Sequence, residues 1–284
     1  YIREHAYVEV LNVPEDYKGT ICELHLGEVH AGGNEAEMYC GGSVTLACSE
    51  GAEVVYAGSS DADIHGDIDL VITSGTYGKV FGGNNHSGNV YGGITINIDE
   101  TGCWPVMIGE LYACGNEAPY SVYGYNDEGK AITEGEPQYT DPTINLISFT
   151  RIGKVFGGGY AADVYGSPVI NVEPIPGIYA TGESKPNYVL DGSDERIENT
   201  GNSSVANALG ADKIGSIGTI YGGGNKGAVY GNTNVLIGTK TTNKHVSGSD
   251  KTTEHEVAVT ITGNVFGGGN EAIVSGNTNV TIGK

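Results

Sequence analysis

Basic residues are scarce in this chain: 14 lysines and arginines stand against 35 aspartates and glutamates, for a formal net charge of −21. Arginine occurs only at Arg3, Arg151 and Arg196. A phosphate backbone needs a basic footprint, so nucleic acid is excluded as a partner. Proline is sparse as well, at 9, and the 47 glycines follow no three-residue period, which removes a collagen-like triple helix. No apolar run approaches the roughly 18 residues that cross a bilayer as a helix, so membrane insertion is not expected. No stretch carries a 3.6-residue hydrophobic period, which argues against helices. The chain opens at Tyr1 and not at methionine, and we expect a signal peptide or neighbouring regions upstream.

What fills the space is glycine, at more than twice the roughly 7% of ordinary proteins, and it recurs with a motif. The segment from Gly263 reads Gly-Asn-Val-Phe-Gly-Gly-Gly-Asn-Glu-Ala-Ile-Val-Ser-Gly-Asn-Thr-Asn-Val-Thr-Ile-Gly. Close copies start at Gly218 (Gly-Thr-Ile-Tyr-Gly-Gly-Gly-Asn), Gly153 (Gly-Lys-Val-Phe-Gly-Gly-Gly) and Gly78 (Gly-Lys-Val-Phe-Gly-Gly-Asn). Looser ones start at Gly27, Glu53 and Gly109. The aliphatic opening each copy falls at Val29, Val55, Val80, Leu111, Val155, Ile220 and Val265, with gaps of 26, 25, 31, 44, 65 and 45 residues. The minimal unit is therefore about 25 residues, and the longer gaps hold insertions. A second apolar site (Met38, Ile64, Val90, Val122, Val164, Val229, Val274) follows at steps of 9, 9, 10, 11, 9, 9 and 9. The two short strands and the glycine turn between them are thus a fixed unit, and the return segment varies.

Short apolar-alternating stretches broken by glycine or asparagine read as strands. One such strand cannot bury its apolar face alone, but stacking equivalent strands buries it and pairs the backbone. The expected fold is all-β: a right-handed parallel β-helix, or β-solenoid, of about seven coils, with handedness from the crossover rule. At about 4.8 Å per strand, seven coils make a rod on the order of 35 Å long. The whole chain, 1–284, reads as one domain, with 1–26 as the tail of a preceding coil whose last strand runs from Ala6 to Val13. Insertions are expected at 99–108, 125–142, 173–217 and 238–257. In coil period and strand pattern the chain resembles the right-handed parallel β-helices of secreted and surface bacterial proteins, the pectin-lyase-like and adhesin-like group. The runs Gly-Gly-Gly-Asn-Glu-Ala and Gly-Asn-Thr-Asn-Val resemble glycine-rich repeats of large bacterial surface proteins. The calcium-binding G-G-x-G-x-D nonapeptide is a poorer match, because most copies lack the aspartate and the unit is too long.

Stacking turns repeat positions into columns. Asparagine after the glycines (Asn34, Asn84, Asn116, Asn225, Asn270) is expected to form a structural hydrogen-bonding ladder. One aromatic column is His30, Tyr56, Phe81, Tyr112, Phe156, Tyr221 and Phe266; another is Tyr39, His65, Tyr91, Tyr123, Tyr165 and Tyr230. Strict alternation would place these rings outside, as a platform for sugars or a partner fibre. A bend at the glycines would instead stack them in the core or beneath the insertions, which avoids a large exposed aromatic surface.

Asp61, Asp63, Asp67 and Asp69 alternate with apolar or small residues, which on a strand gives one face of carboxylates suited to calcium or simply to solvent. The five cysteines, Cys22, Cys40, Cys48, Cys103 and Cys114, are compatible with one or two disulfides or with small buried thiols. The insertions carry the single tryptophan, Trp104, and Tyr125, Tyr139, Tyr179 and Tyr188, a candidate face for a glycan or host-surface ligand. The alternative is that they fold back as lids. Lyases on this scaffold resemble one another in using a basic residue on a uronate, and arginine is too scarce for that here. No nucleophile–base set has a local signature, so the chain is not expected to be an enzyme. The expected role is a structural and adhesive segment or subunit of a bacterial surface fibre, extracellular, with self-association end to end because the last copy matches the consensus without a cap. The alternative is a carbohydrate-binding module or polysaccharide-active enzyme on the same scaffold.

Overall fold

The computed structural model describes residues 6–10, 25–47, 49–100, 106–124, 126–127, 132–138, 140–172, 187–190, 196–199, 215–238, 242–243, 253–254 and 259–283. Among these there are strands and turns but no helix. The chain alternates between two eight-stranded sheets. The first sheet takes His25–His30, Gly51–Tyr56, Thr76–Phe81, Met107–Tyr112, Arg151–Phe156 and Ser216–Tyr221 in that order, with Thr260–Ile261 and Val265–Phe266 both pairing the last. The second takes Ala6–Val10, Gly42–Leu46, Ile68–Ile72, Ile94–Asp99, Thr143–Ser148, Val169–Val172, Thr233–Ile237 and Thr278–Ile282. Every neighbouring pair in both sheets is parallel. This all-β, parallel arrangement is compatible with a parallel β-helix.

The register follows the sequence repeat. Val29, Val55, Val80, Leu111, Val155, Ile220 and Val265 are successive partners in the first sheet. In the second, Val44, Leu70, Ile96, Ile144, Ile170, Val235 and Val280 are successive partners. All of this second column is fully buried except Val280, which is 40% exposed at the sheet's end. Each buried aliphatic of this size contributes about 1.5–3 kcal/mol, so the two columns are the main stabilising feature of the core. A third, minimal line of pairing runs between the sheets: Met38, Ile64 and Val90, then Tyr120, Val164, Val229 and Val274.

Three expectations shift. Tyr120, not Val122, pairs with Val164 and is buried; with it the fourth copy takes the same step of nine residues from Leu111 as most others. Val122 instead pairs antiparallel with Gln138 and closes the base of the third-line insertion. The leading strand is Ala6–Val10, and the stretch up to Val13 lies outside the described residues. Asp99, Met107, Ile108, Ser216 and Ile217 belong to sheet strands, so the insertions begin or end inside the expected bounds. Two of them contain antiparallel pairs, Asn187–Leu190 with Arg196–Asn199 and Thr242–Asn243 with Thr253–Glu254.

One glycine column explains why the first sheet departs from strict alternation. A Cβ on Gly109 would lie 2.5 Å from the Gly78 carbonyl oxygen, and one on Gly153 would lie 2.5 Å from that of Gly109. Backbones approach there more closely than a side chain permits. On either side of this irregularity Ile108 and Leu111, three residues apart, are both buried in the core.

Candidate functional site

Two aromatic columns run along the stacked strands. The first is continuous. Ring centroids lie 4.7 Å apart for His30–Tyr56, 5.1 Å for Tyr56–Phe81 and 4.7 Å for Phe81–Tyr112. They continue at 4.6 Å for Tyr112–Phe156, 4.9 Å for Phe156–Tyr221 and 5.0 Å for Tyr221–Phe266. These spacings are those of adjacent strands. Tyr56, Phe81, Tyr112 and Phe156 are buried, yet they form a cluster separate from the aliphatic core, with Val54, Tyr160 and Tyr221 packed against it. The outcome combines both expectations: the rings point away from the aliphatic core, as alternation requires, and are buried all the same.

Polar partners serve the Tyr112 hydroxyl. Tyr112 donates to Glu110 at 2.9 Å and accepts from Asn225 Nδ2 at 3.2 Å. Burial, then the nearby Glu110 charge, push the Tyr112 hydroxyl far above its ordinary value. Tyr56 is pushed up to about 12, first by burial and then by Glu28 and Glu117. Glu110 stands between Lys79 and Lys154 in the register, with ammonium groups at 3.7 and 3.0 Å. Burial tends to raise its pKa, but the hydrogen bonds from Lys154 and Tyr112 and the two positive charges hold the carboxyl below its usual range. Like charges on adjacent strands repel, and the alternation Lys79–Glu110–Lys154 avoids that.

The second column is half-exposed and interrupted. Tyr39–His65 and His65–Tyr91 stack at 5.0 and 5.2 Å. In the fourth copy Ser121, not Tyr123, is the register partner of Tyr165. Tyr123 sits 6.0 Å from Tyr91 and is tilted by 41°. Tyr165 and Tyr230 resume the stack at 4.5 Å. A sugar stacks on the face of a ring. Inside either stack the faces are already covered by neighbouring rings, so neither column offers a row of open faces.

The asparagine ladder slips by one residue in the third copy. Asn116 donates to Asn85 at 3.0 Å. Asn84 stands one position earlier, is buried, accepts from the Ser59 N–H at 2.8 Å and donates to the Ala62 carbonyl at 2.9 Å. Asn270 donates to Asn225 at 2.9 Å, and the Asn34 carbonyl accepts from the Asp61 N–H at 2.7 Å. A second ladder went unread in the sequence: Asn171 donates to Asn145 and Asn145 to Asn97, each at 2.9 Å. Its signal is the recurring Ile-Asn-Ile, Ile-Asn-Leu and Ile-Asn-Val at residues 96–98, 144–146 and 170–172.

The four aspartates do not share one strand face, since only Asp69 lies in a sheet strand, Ile68–Ile72. Asp61 accepts from Ser60 and Ser87, at 2.6 and 3.1 Å. Asp63 accepts from the Asn89 N–H at 2.8 Å and Asp67 from the Gly93 N–H at 2.7 Å. Ser167 and Asn232 repeat the Asp67 contact further along, accepting from the Asn232 and Asn277 N–H groups at 3.2 and 2.8 Å. Apart from those of Asp61, which take serine hydroxyls, these oxygens satisfy backbone donors at corners where strand pairing ends. No group of three or more possible metal ligands gathers among the described residues.

Trp104, Tyr125, Tyr139 and Tyr179 lie outside the described residues, and Tyr188 is described only as the register partner of Glu198 in its antiparallel pair. Cys22, Cys48 and Cys103 also lie outside them. Cys114 is a free thiol in the core, pushed well above its ordinary pKa by burial, while Cys40 is half-buried. No protein-family model, curated protein or solved structure matches the chain.

Proposed function

We propose that the chain is a right-handed parallel β-solenoid serving as a non-catalytic structural and adhesive segment of an extracellular bacterial fibre or large surface protein. The handedness follows the crossover rule for parallel strands, and the surface location rests on the resemblance of its glycine-rich repeats. The observation that carries the reading is the repetition itself: the aliphatic column from Val29 to Val265 and the ring stack from His30 to Phe266 pair copy to copy along parallel strands, an arrangement that one more unit of the same kind extends without change. Phe266, Val280 and Ile282 continue columns whose interior members are largely buried and are themselves 43%, 40% and 68% exposed, so the surface that fits them is another copy of the repeat, whether it belongs to the same chain or to a second one.

Negative-stain electron microscopy with light scattering at several protein concentrations tests this. Uniform filaments that lengthen with concentration are expected, and Ile282→Asp should shorten them to single rods. Discrete rods of monomer mass at every concentration would remove end-to-end association.

A further inference from the structure

The buried column never brings two tyrosines into contact: from Tyr56 to Phe266, tyrosine and phenylalanine alternate strictly. In the outer column His65 separates Tyr39 from Tyr91. Tyr91 and Tyr123 are tilted apart, and Tyr112 and Tyr160 meet edge to face at 86°. Among the described residues one pair of tyrosines remains stacked nearly parallel: Tyr165 and Tyr230, at 4.5 Å and 15°. Both are half-exposed. Backbone pairing of Val164 with Val229, and the hydrogen bond from the Tyr230 N–H to the Val164 carbonyl at 2.8 Å, fix them in register. They are 65 residues apart in sequence, on either side of the longest insertion.

We propose that Tyr165 and Tyr230 are a site of oxidative cross-linking, joined as dityrosine by a peroxidase-type oxidant using hydrogen peroxide. Each phenol loses one electron and its hydroxyl proton. The two radicals then combine through the ring carbons ortho to the oxygens, and each ortho hydrogen returns to oxygen as the ring becomes aromatic again. Two protons and two electrons leave in all, and they reduce one peroxide to two waters. Asp163 serves as a positioning residue. Its carboxylate is hydrogen-bonded to Tyr230 and raises that hydroxyl's pKa by its charge, which makes it a ready acceptor for the departing proton. Its Oδ1 is fixed by the Ala228 N–H at 2.9 Å. Stacked rings are not yet bonded, but both side chains have solvent on one side into which to tilt. The link would close the insertion covalently and limit the unfolded chain as a disulfide of the same span does.

Dilute folded protein treated with horseradish peroxidase and hydrogen peroxide, then digested and mapped by mass spectrometry, tests the proposal. An intramolecular peptide pair joining Tyr165 to Tyr230 with the loss of two hydrogens is expected, together with dityrosine fluorescence and a raised melting temperature. Tyr165→Phe and Tyr230→Phe keep the ring stack and should each abolish the link while circular dichroism stays unchanged. Asp163→Asn retains an acceptor for Ala228 and should slow formation several-fold; an unchanged rate would remove Asp163 from the site. Links confined to other tyrosines, links only between molecules, or no link in protein that remains folded would each overturn the assignment. None of these outcomes depends on filament formation.

Discussion

The two aromatic columns have nearly the same ring spacing and opposite surroundings. Both are set by the interval between adjacent strands, so stacking by itself says nothing about burial. The first column follows directly after the core aliphatic and before the glycine turn, and it is buried in a cluster of its own. The second lies one residue after the third line of pairing, where the chain turns towards the second sheet, and it stays half-exposed. The strict tyrosine–phenylalanine order belongs to the buried column, where each hydroxyl needs a partner. The exposed column tolerates histidine, serine and a break.

The largest expected effect comes from emptying one buried ring. Phe156→Ala should cost about 3–5 kcal/mol, the range for deleting a buried phenylalanine, whereas Tyr91→Ala in the exposed column should cost under about 1 kcal/mol. Denaturant melts of the two variants check this; similar losses would abolish the distinction between the columns.

Next is Tyr112→Phe, which keeps the ring and removes the hydroxyl between Glu110 and Asn225. A loss of about 1–2 kcal/mol is expected. Asn225→Ala should fall in the same range, because it breaks both the contact to Tyr112 and the ladder to Asn270. An unchanged melt for Asn225→Ala would remove the ladder from the account of stability.

Alkaline pH separates the columns further. Tyr56 has its pKa raised in the folded state from the ordinary 10.0 to about 12. The protonated form is therefore favoured by folding, and its contribution is complete below about pH 10 and is lost as pH rises towards 12. Ultraviolet titration should show some tyrosines ionising only with unfolding, and Tyr56→Phe should flatten the fall in stability across that window.

Much of the fold is legible because each strand pairs with its counterparts in the neighbouring copies of the repeat: Val29 through Val265 recur at one position of the repeat, and the register follows that recurrence strand by strand. The errors occurred where the local count of residues is ambiguous. Asn84 and Asn85 are both asparagine, and only cross-strand hydrogen bonds show which one occupies the ladder. Tyr120 and Val122 are both apolar in a copy whose insertion begins just after them. The acidic row was misplaced because alternation of Asp61, Asp63, Asp67 and Asp69 resembles a strand, while the glycines around it make corners.

That row gives the finest discrimination. If Asp67 acts as an acceptor for the Gly93 N–H, then Asp67→Asn keeps the oxygen and should leave the melting temperature nearly unchanged, while Asp67→Ala should cost about 1 kcal/mol. Calcium at millimolar concentration should then shift neither variant differently from the parent. If the carboxylates instead hold calcium, the ion should stabilise the parent and give a calorimetric signal, and Asp67→Asn should weaken both by removing a charged ligand. Asparagine and alanine therefore separate at this position only under the backbone-acceptor reading. In calcium, loss of charge alone would be enough to show the other.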